Sequence, residues 1–123
     1  MAEKLTQGLE DYLECIYNFI QTKDNVKAID IARKMNVSRA SVTDALNRLV
    51  EKEYIRHERY GKIILLEKGI EKSKEIIDKH NTLTKFFEDI LKLSKEEASE
   101  NACRIEHVIT ENAFIQLKRF LND

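Results

Sequence analysis

The sequence predicts a mostly α-helical protein that contains one short β-hairpin. Three observations support this fold class. Proline is absent from the 123 residues and glycine occurs only three times, so few positions would interrupt a helix. Apolar residues, which make up 42% of the chain, recur at helical spacing along most of its length. Gly61 lies between two short runs of strand-forming residues, which is the pattern of a hairpin turn.

The first predicted helix covers residues 7–22. Its apolar residues recur every three or four positions, so that one face can be buried. These residues are Leu9, Tyr12, Leu13, Ile16, Tyr17 and Ile20. The polar residues 23–25 break the pattern, so we expect the helix to end just before them.

Two shorter helices follow, over residues 28–35 and 39–52. Asn36 and Val37 fit a tight turn between them, and Ser38 is a favourable N-cap for the second helix. Two short helices joined by a turn of a few residues form the helix-turn-helix pattern. In DNA-binding proteins of this type the second helix lies in the major groove.

A basic hairpin is predicted directly after these helices. Residues 54–57 and 62–66 read as strands, and Gly61 can supply the positive φ of the turn between them. A hairpin at this place is the wing of a winged helix-turn-helix domain. The alternative is a generic three-helix domain with a stabilising hairpin. We assign residues 1–69 to a winged helix-turn-helix DNA-binding domain.

The rest of the chain is predicted to be helical. A long helix runs from residue 67 or 68 to 91, and Ser94 then opens a capping box with the glutamate three residues later. A helix over about 95–109 and a short last helix from Thr110 complete the chain. We assign residues 70–123 to a helical domain. Because the boundary lies inside the long helix, we expect the two domains to be coupled.

This helical region has more apolar residues than so short a segment can bury alone. We therefore expect a homodimer, in which a second copy covers them. The residues concerned are Phe86, Phe87, Ile90, Leu91, Ile105, Val108, Ile109, Phe114, Leu117, Phe120 and Leu121.

Basic residues are concentrated in one part of a nearly neutral chain. The net charge is −1, yet residues 27–62 have nine Lys or Arg and five acidic residues, a balance of +4. Such a segment is typical of a localised phosphate-binding surface, although chance clustering on solvated helices gives the same pattern. We expect a double-stranded DNA partner. Phosphate contacts are expected from Lys34, Arg48, Arg59 and Lys62, and base contacts from Ser38, Arg39, Ser41 and Thr43.

Cysteine content and the absence of targeting segments indicate an intracellular protein. There are two cysteines, Cys15 and Cys103, too few for a small disulfide scaffold, so free thiols in a reducing compartment are expected. No secretion signal and no membrane-spanning run is present, which predicts a cytoplasmic protein without a membrane partner. An enzyme built on Cys103 and His107 is not expected, because zinc-protease, phosphate-loop and nucleophile-elbow motifs are absent.

Residue types that bind metals occur at suggestive spacings. Asp11 and Glu14 lie one helical turn apart, and His80 lies midway along the long helix. Cys103, Glu106 and His107 share one face of the predicted fifth helix. A mixed sulfur, nitrogen and oxygen set suits a first-row transition metal. The same residues could be surface carboxylates, a buried cysteine and a capping histidine, and spacing alone does not bring them together.

Four segments together resemble the diphtheria-toxin-repressor family of iron- and manganese-dependent regulators. They are LEDYLECIYNFI, DIARKMNVSRASVTDALNRLVEKEYI, RYGKIILLEKG and ENACRIEHVI, and the similarity extends over residues 9–121. The resemblance is to the short, two-domain, manganese-responsive type. It implies a winged-helix domain, a helical dimerisation domain and a metal site between them.

The resemblance also implies which residues bind metal. The residues that match ligands of the manganese-responsive branch are Asp11, Glu14, His80, Glu106 and His107. Cys103 matches the ligand cysteine of the iron-responsive branch, whose members have Met in place of Asp11, so the site is a hybrid. Thr84 and Ser99 replace two ligands of that branch's ancillary site, which we expect to be missing or weak. Fe²⁺ or Mn²⁺ is the expected cofactor, with one or two ions per subunit.

The resulting functional prediction is metal-dependent repression of transcription. The protein is expected to bind a palindromic operator when loaded with Fe²⁺ or Mn²⁺, and to control metal-homeostasis genes. The alternative is a winged-helix repressor that responds to a small organic ligand and shows no metal dependence. DNA binding with and without metal distinguishes the two.

Overall fold

A computed structural model describes residues 5–122; the ends of the two predicted domains, residues 1–4 and 123, lie outside the described part. The elements, in chain order, are α1 (Gln7–Thr22), α2 (Ala28–Met35), α3 (Arg39–Glu51), β1 (Ile55–His57), β2 (Ile63–Leu65), α4 (Glu67–Asp89), α5 (Lys95–Ile105) and α6 (Glu111–Asn122). The predicted mostly helical fold with one hairpin is confirmed. Within this part of the chain, every helix is too short or too polar to cross a bilayer.

The chain forms two compact units, which divide inside α4 between Lys74 and Glu75. A division inside this helix was expected, but its predicted position after residue 69 stays a prediction. Each unit has buried apolar residues of its own.

The first unit has a core built from the inner faces of α1, α2 and α3. Leu13, Ile16, Ile31 and Leu49 are fully buried in it. The hairpin packs against the same core. Ile55 on β1 and Ile63 on the antiparallel strand β2 are both buried in it. This arrangement leaves the outer face of α3 and the tip of the hairpin exposed.

Gly69 allows the first turn of α4 to lie close to Tyr54, the residue before β1. A Cβ atom at this position would lie 2.1 Å from the backbone oxygen of Tyr54, far inside any tolerated contact. The same oxygen accepts a hydrogen bond of 3.0 Å from the backbone N–H of Leu66. A side chain at residue 69 would therefore push the hairpin and α4 apart.

Asp30 stabilises the start of α2 through two hydrogen bonds. Its carboxylate accepts one from the backbone N–H of Lys27 at 2.8 Å and one from the Lys23 ammonium at 2.6 Å. The first satisfies a backbone donor that the helix leaves without an intrahelical partner. The hydrogen bond from Lys23 also holds the pKa of Asp30 below its ordinary value.

Replacing Asp30 with alanine should therefore lower the free energy of unfolding by about 1–2 kcal/mol, the usual cost of losing a helix-capping group. Because the pKa of Asp30 is lower in the folded state, its charge contributes stability above its ordinary pKa of 3.8 and loses it as pH falls through the folded value. Asp30→Asn removes the charge but keeps an acceptor for Lys27. Its destabilisation, measured by urea unfolding, should be present at neutral pH and shrink in acid.

The second unit consists of the rest of α4 with α5 and α6. Its buried apolar residues are Ile76, Leu83, Ala98, Ala102 and Phe114. Several large apolar side chains in this unit are exposed. They include Ile90, Leu91, Val108, Ile115 and Phe120, with Val108 reaching 68%. The described residues of this chain do not cover them.

The fifth helix is shorter than predicted, since it ends at Ile105 and Glu106 is its C-cap. The chain then turns into the next helix. The Thr110 hydroxyl accepts a hydrogen bond of 3.2 Å from the N–H of Ala113 and so acts as the N-cap of α6. An N-cap residue is not helical, so α5 cannot extend as far as Thr110. The prediction that His107 lies on this helix is therefore wrong: it lies in the following turn.

Candidate metal centre and nucleic-acid interface

Three metal-binding side chains meet in the second unit. His80 comes from α4, Cys103 from the last turn of α5, and Glu106 from the C-cap of α5. Each offers one ligand atom, and the three atoms lie within 4.8 Å of one another. We call these residues the metal cluster. It unites residues 23 and 26 positions apart in sequence.

The geometry of the metal cluster is compact. Nδ1 of His80 lies 3.3 Å from Oε1 of Glu106 and 3.7 Å from Sγ of Cys103. The Glu106 side chain is 1% exposed, whereas that of His80 is 24% exposed and Cys103 faces solvent. The cluster thus has a buried carboxylate at one side and an open thiol at the other.

Local backbone structure positions these groups. The N–H of Glu106 donates to the carbonyl of Ala102 at 2.9 Å, which continues the helical hydrogen bonds of α5 by one residue. Glu106 therefore follows Cys103 by almost one turn and lies on the same side. On α4, the Thr84 hydroxyl donates to the His80 carbonyl at 2.7 Å. Thr84, which replaces an expected ligand of the ancillary site, thus bonds the backbone of the helix.

The donor set fits a divalent transition metal. Imidazole nitrogen, thiolate sulfur and carboxylate oxygen are all first-row metal ligands. A carboxylate buried to this degree needs a positive or hydrogen-bonding partner, because its desolvation is costly. His80 meets that need in part at 3.3 Å. A dication among the three atoms would meet it more fully.

The remaining predicted ligands occupy two other places. His107 is half-buried in the turn after α5 and is not one of the three mutually close donors. Asp11 and Glu14 lie half-buried on α1, in the first unit. There they line a concavity of about 410 Å³ together with Cys15 and Lys34.

Cys15 is a poor candidate for a further ligand. Burial raises the pKa of the Cys15 thiol, and the Glu14 carboxylate raises it further, although Lys34 acts in the opposite direction. A raised pKa keeps the group as a thiol, whereas metals bind the thiolate. Cys103, in contrast, lies beside two other metal-binding side chains.

α3 presents a polar face to solvent. Arg39 and Thr43 are exposed near its start, while Val42, Leu46 and Leu49 face the core. Ser38 is the N-cap, as predicted, and its hydroxyl accepts the Ser41 N–H at 3.1 Å and donates to the Ser41 hydroxyl at 3.0 Å. Both serine hydroxyls are thus already engaged with each other. A contact of either with a base stays a prediction.

An ion pair accounts for one acidic residue on the exposed face of α3. Oδ2 of Asp44 lies 3.1 Å from Nε of Arg48, one helical turn later. The pair leaves the terminal nitrogens of the guanidinium available while it restrains the side chain. Asp44 therefore orients Arg48, one of the predicted phosphate-binding residues. Lys34, at the end of α2, is exposed as well.

The hairpin tip carries one large residue that was not among the predicted DNA contacts. A turn over Arg59–Gly61 joins β1 and β2, and both Arg59 and Lys62 are exposed, as expected for phosphate contacts. Tyr60 lies between them with 87% of its surface exposed. The sequence contains a signal for Tyr60: it is an aromatic residue next to the turn glycine of a basic hairpin. We call residues 58–62 the wing tip.

The sequence matches two parts of one protein family. Residues 4–63 match the family described as "Iron dependent repressor, N-terminal DNA binding domain". Residues 66–123 match "Iron dependent repressor, metal binding and dimerisation domain". The metal cluster lies within the second match, and α3 and the wing tip lie within the first.

Individual relatives agree with this assignment. An HTH-type transcriptional regulator of Methanocaldococcus jannaschii is 38% identical over 118 residues, which covers 95% of this chain and 94% of that protein. The HTH-type transcriptional regulator MntR of Listeria welshimeri is 32% identical over 108 residues, 88% of this chain and 75% of that one.

The solved structure of the manganese regulator SloR has the same fold. It superposes with a TM-score of 0.81 at 25% identity, covering 99% of this chain and 55% of that one, so the chain spans about half the length of SloR. The fold, the family matches and the relatives all indicate the same family. This protein belongs to the iron-dependent repressor family of metal-dependent, DNA-binding transcriptional regulators.

Proposed function

We propose that this protein represses transcription from a palindromic operator when it is loaded with Fe²⁺ or Mn²⁺, and that it thereby controls metal-homeostasis genes in the cytoplasm. The observation that carries the proposal is the metal cluster of His80, Cys103 and Glu106. It lies in the segment that matches the family's metal-binding and dimerisation domain. A homodimer would present two copies of α3 to the two halves of such an operator.

The proposed cofactor follows from the donor set. Carboxylates suit Mn²⁺ and Fe²⁺, imidazole suits most first-row metals, and a thiolate favours Fe²⁺ and the later members of the series. SloR is described as a manganese regulator, while the matched family is described as iron dependent. We propose that Asp11, Glu14 and His107 complete the ligand set, with one or two ions per subunit.

The proposed mechanism is a restriction of α1 by metal. Asp11 and Glu14 belong to the DNA-binding unit, and the metal cluster belongs to the other. If these carboxylates and Glu106 are to share one site, their like charges would repel one another without a cation. Asp11, Glu14 and Glu106 would hold a dication, whose positive charge would offset this repulsion. The carboxylates of α1 would then hold the DNA-binding unit in one position, a population shift of about 1–3 kcal/mol.

DNA recognition would use the exposed face of α3 and the wing. Arg39, at the start of α3, can bond both acceptors of a guanine edge. Lys34, Arg48, Arg59 and Lys62 would bind phosphates and so fix the register. Ser41 and Thr43 extend the same face of the helix.

The test is DNA binding by fluorescence anisotropy with Mn²⁺, with Fe²⁺ under anaerobic conditions, with Zn²⁺ and without metal. We expect Mn²⁺ or Fe²⁺ to strengthen binding of the wild type by about 5- to 150-fold, the usual range of allosteric coupling. Glu14→Ala should abolish this stimulation while leaving the helical content unchanged by circular dichroism. The matched control is Asp24→Ala, which removes an exposed carboxylate just beyond α1.

Two results would contradict the proposal. Equal binding with and without metal would favour a repressor that responds to an organic ligand instead. Full metal stimulation in the Glu14→Ala variant would show that Glu14 on α1 is not a ligand of the regulatory metal.

A further inference from the structure

The wing tip contains an exposed aromatic ring that the fold does not use. Tyr60 is 87% exposed, the highest value among the exposed large apolar residues in the described part of the chain. A ring that packs against nothing contributes no burial energy to the fold. Single exposed aromatics are common, so exposure alone indicates no function. The backbone and the neighbours of Tyr60 provide the further evidence.

Tyr60 adopts a backbone conformation that a tyrosine disfavours. Its φ is 69° and its ψ is 11°, in the left-handed region, and Gly61 beside it has φ 86°. Glycine and asparagine enter this region at lower cost than a bulky residue. Tyrosine is thus a poor choice for the turn itself. Its presence at this position points to a use outside the fold.

The surroundings of Tyr60 indicate what the ring would contact. Arg59 and Lys62 flank it, and Arg56 is exposed on β1 of the same hairpin. The recognition face of α3 belongs to the same compact unit. The wing tip also holds one exposed acid, Glu58, so its two cations leave a balance of +1, to which Arg56 adds a further positive charge. A flat, amphipathic ring in these net positive surroundings, beside the proposed phosphate contacts, is complementary to nucleic acid rather than to a basic or apolar partner.

We propose that Tyr60 enters the minor groove beside each half-site and packs against the deoxyribose edges, while Arg59 and Lys62 hold the phosphates on either side. This inference depends on the proposed function and adds a groove and a residue to it. A minor-groove contact of this kind reads groove width more than base identity. Tyr60 would therefore set a preference for the sequence flanking the operator halves.

The experiment uses the Mn²⁺-loaded full chain and a DNA duplex recovered by in vitro selection with the wild type. Tyr60→Gly is the central variant, because glycine suits the left-handed backbone. We expect it to keep or raise the melting temperature, yet to bind the selected duplex about 10-fold more weakly, the loss typical of one recognition contact. Tyr60→Phe, which keeps the ring, should stay close to the wild type.

Salt dependence separates the ring from its charged neighbours. Tyr60→Gly should leave the slope of log affinity against log salt unchanged, whereas Arg59→Ala should reduce its magnitude by about 1. Hydroxyl-radical footprints report sugar exposure directly. The wild type should protect sugars that flank each half-site, and Tyr60→Gly should lose that protection alone.

Several outcomes would overturn the inference. If the wild type binds the selected duplex and Tyr60→Gly binds it equally well with the same footprint, the ring does not contact DNA. A change of oligomeric state in Tyr60→Gly without a change in the footprint would assign the ring to a protein interface. If the wild type selects no duplex in any metal, the proposed function itself fails, and this inference fails with it.

Discussion

Replacing His80 with alanine is expected to lower the affinity for Mn²⁺ or Fe²⁺ by about 100-fold or more, because loss of even a supporting residue at a metal site costs 10- to 100-fold. Nδ1 of His80 lies 3.3 Å from Glu106 and 3.7 Å from Cys103. Alanine at this position therefore removes the only nitrogen ligand of the metal cluster. Metal-stimulated DNA binding should be lost in parallel. Isothermal titration calorimetry measures the first effect, and anisotropy measures the second.

His57→Ala is the matched control, since His57 is an exposed histidine on β1 of the other unit. It should leave the metal affinity unchanged. The variant His80→Ala should also keep the wild-type helical content, because the imidazole is not part of the apolar core of the second unit. Wild-type affinity in His80→Ala would show that the metal cluster is not the site of binding.

The fold could be predicted in detail because each element carries its own local signal. The periodicity of α1, the Ser38 cap of α3 and the turn glycine at Gly61 depend only on neighbouring residues. The end of α5 could not be predicted in the same way. Residues 106–109 are compatible with a helix, yet residues 106–108 form a turn that leads to Thr110, the cap of the next helix. The sequence has no glycine or proline there to mark Ile105 as the last helical residue.

The metal cluster was only partly predictable from the sequence. Cys103 and Glu106 are three residues apart on one helical side, which spacing alone indicates. His80 lies 23 residues before Cys103, so only the packing of α4 against α5 brings them together. No local rule predicts such a long-range contact. The prediction that His80 and Cys103 share a site came from the resemblance to a family. The structure gives the distances between them.

The second unit leaves more apolar surface exposed than a single copy would be expected to tolerate. Leu91, Val108 and Phe120 are 50%, 68% and 57% exposed, and they lie just beyond α4, in the turn after α5 and on α6. The matched family segment is described as a dimerisation domain. We therefore propose that these residues are covered by the second copy in a homodimer. A closed, two-fold interface would bury them against the same surface of the partner.

Phe120→Glu is expected to weaken the dimer by about 100-fold or more, because burying an unpaired carboxylate costs several kcal/mol and the ring's own burial is lost. Sedimentation equilibrium at micromolar concentration should show monomers for this variant and dimers for the wild type. Operator affinity should fall as well, since a monomer contacts one half-site only. Ile29→Glu, at an apolar residue of the first unit that is 37% exposed, is the control and should remain dimeric. A Phe120→Glu protein that is still dimeric would exclude this end of α6 from the interface, and a monomeric wild type would refute the dimer.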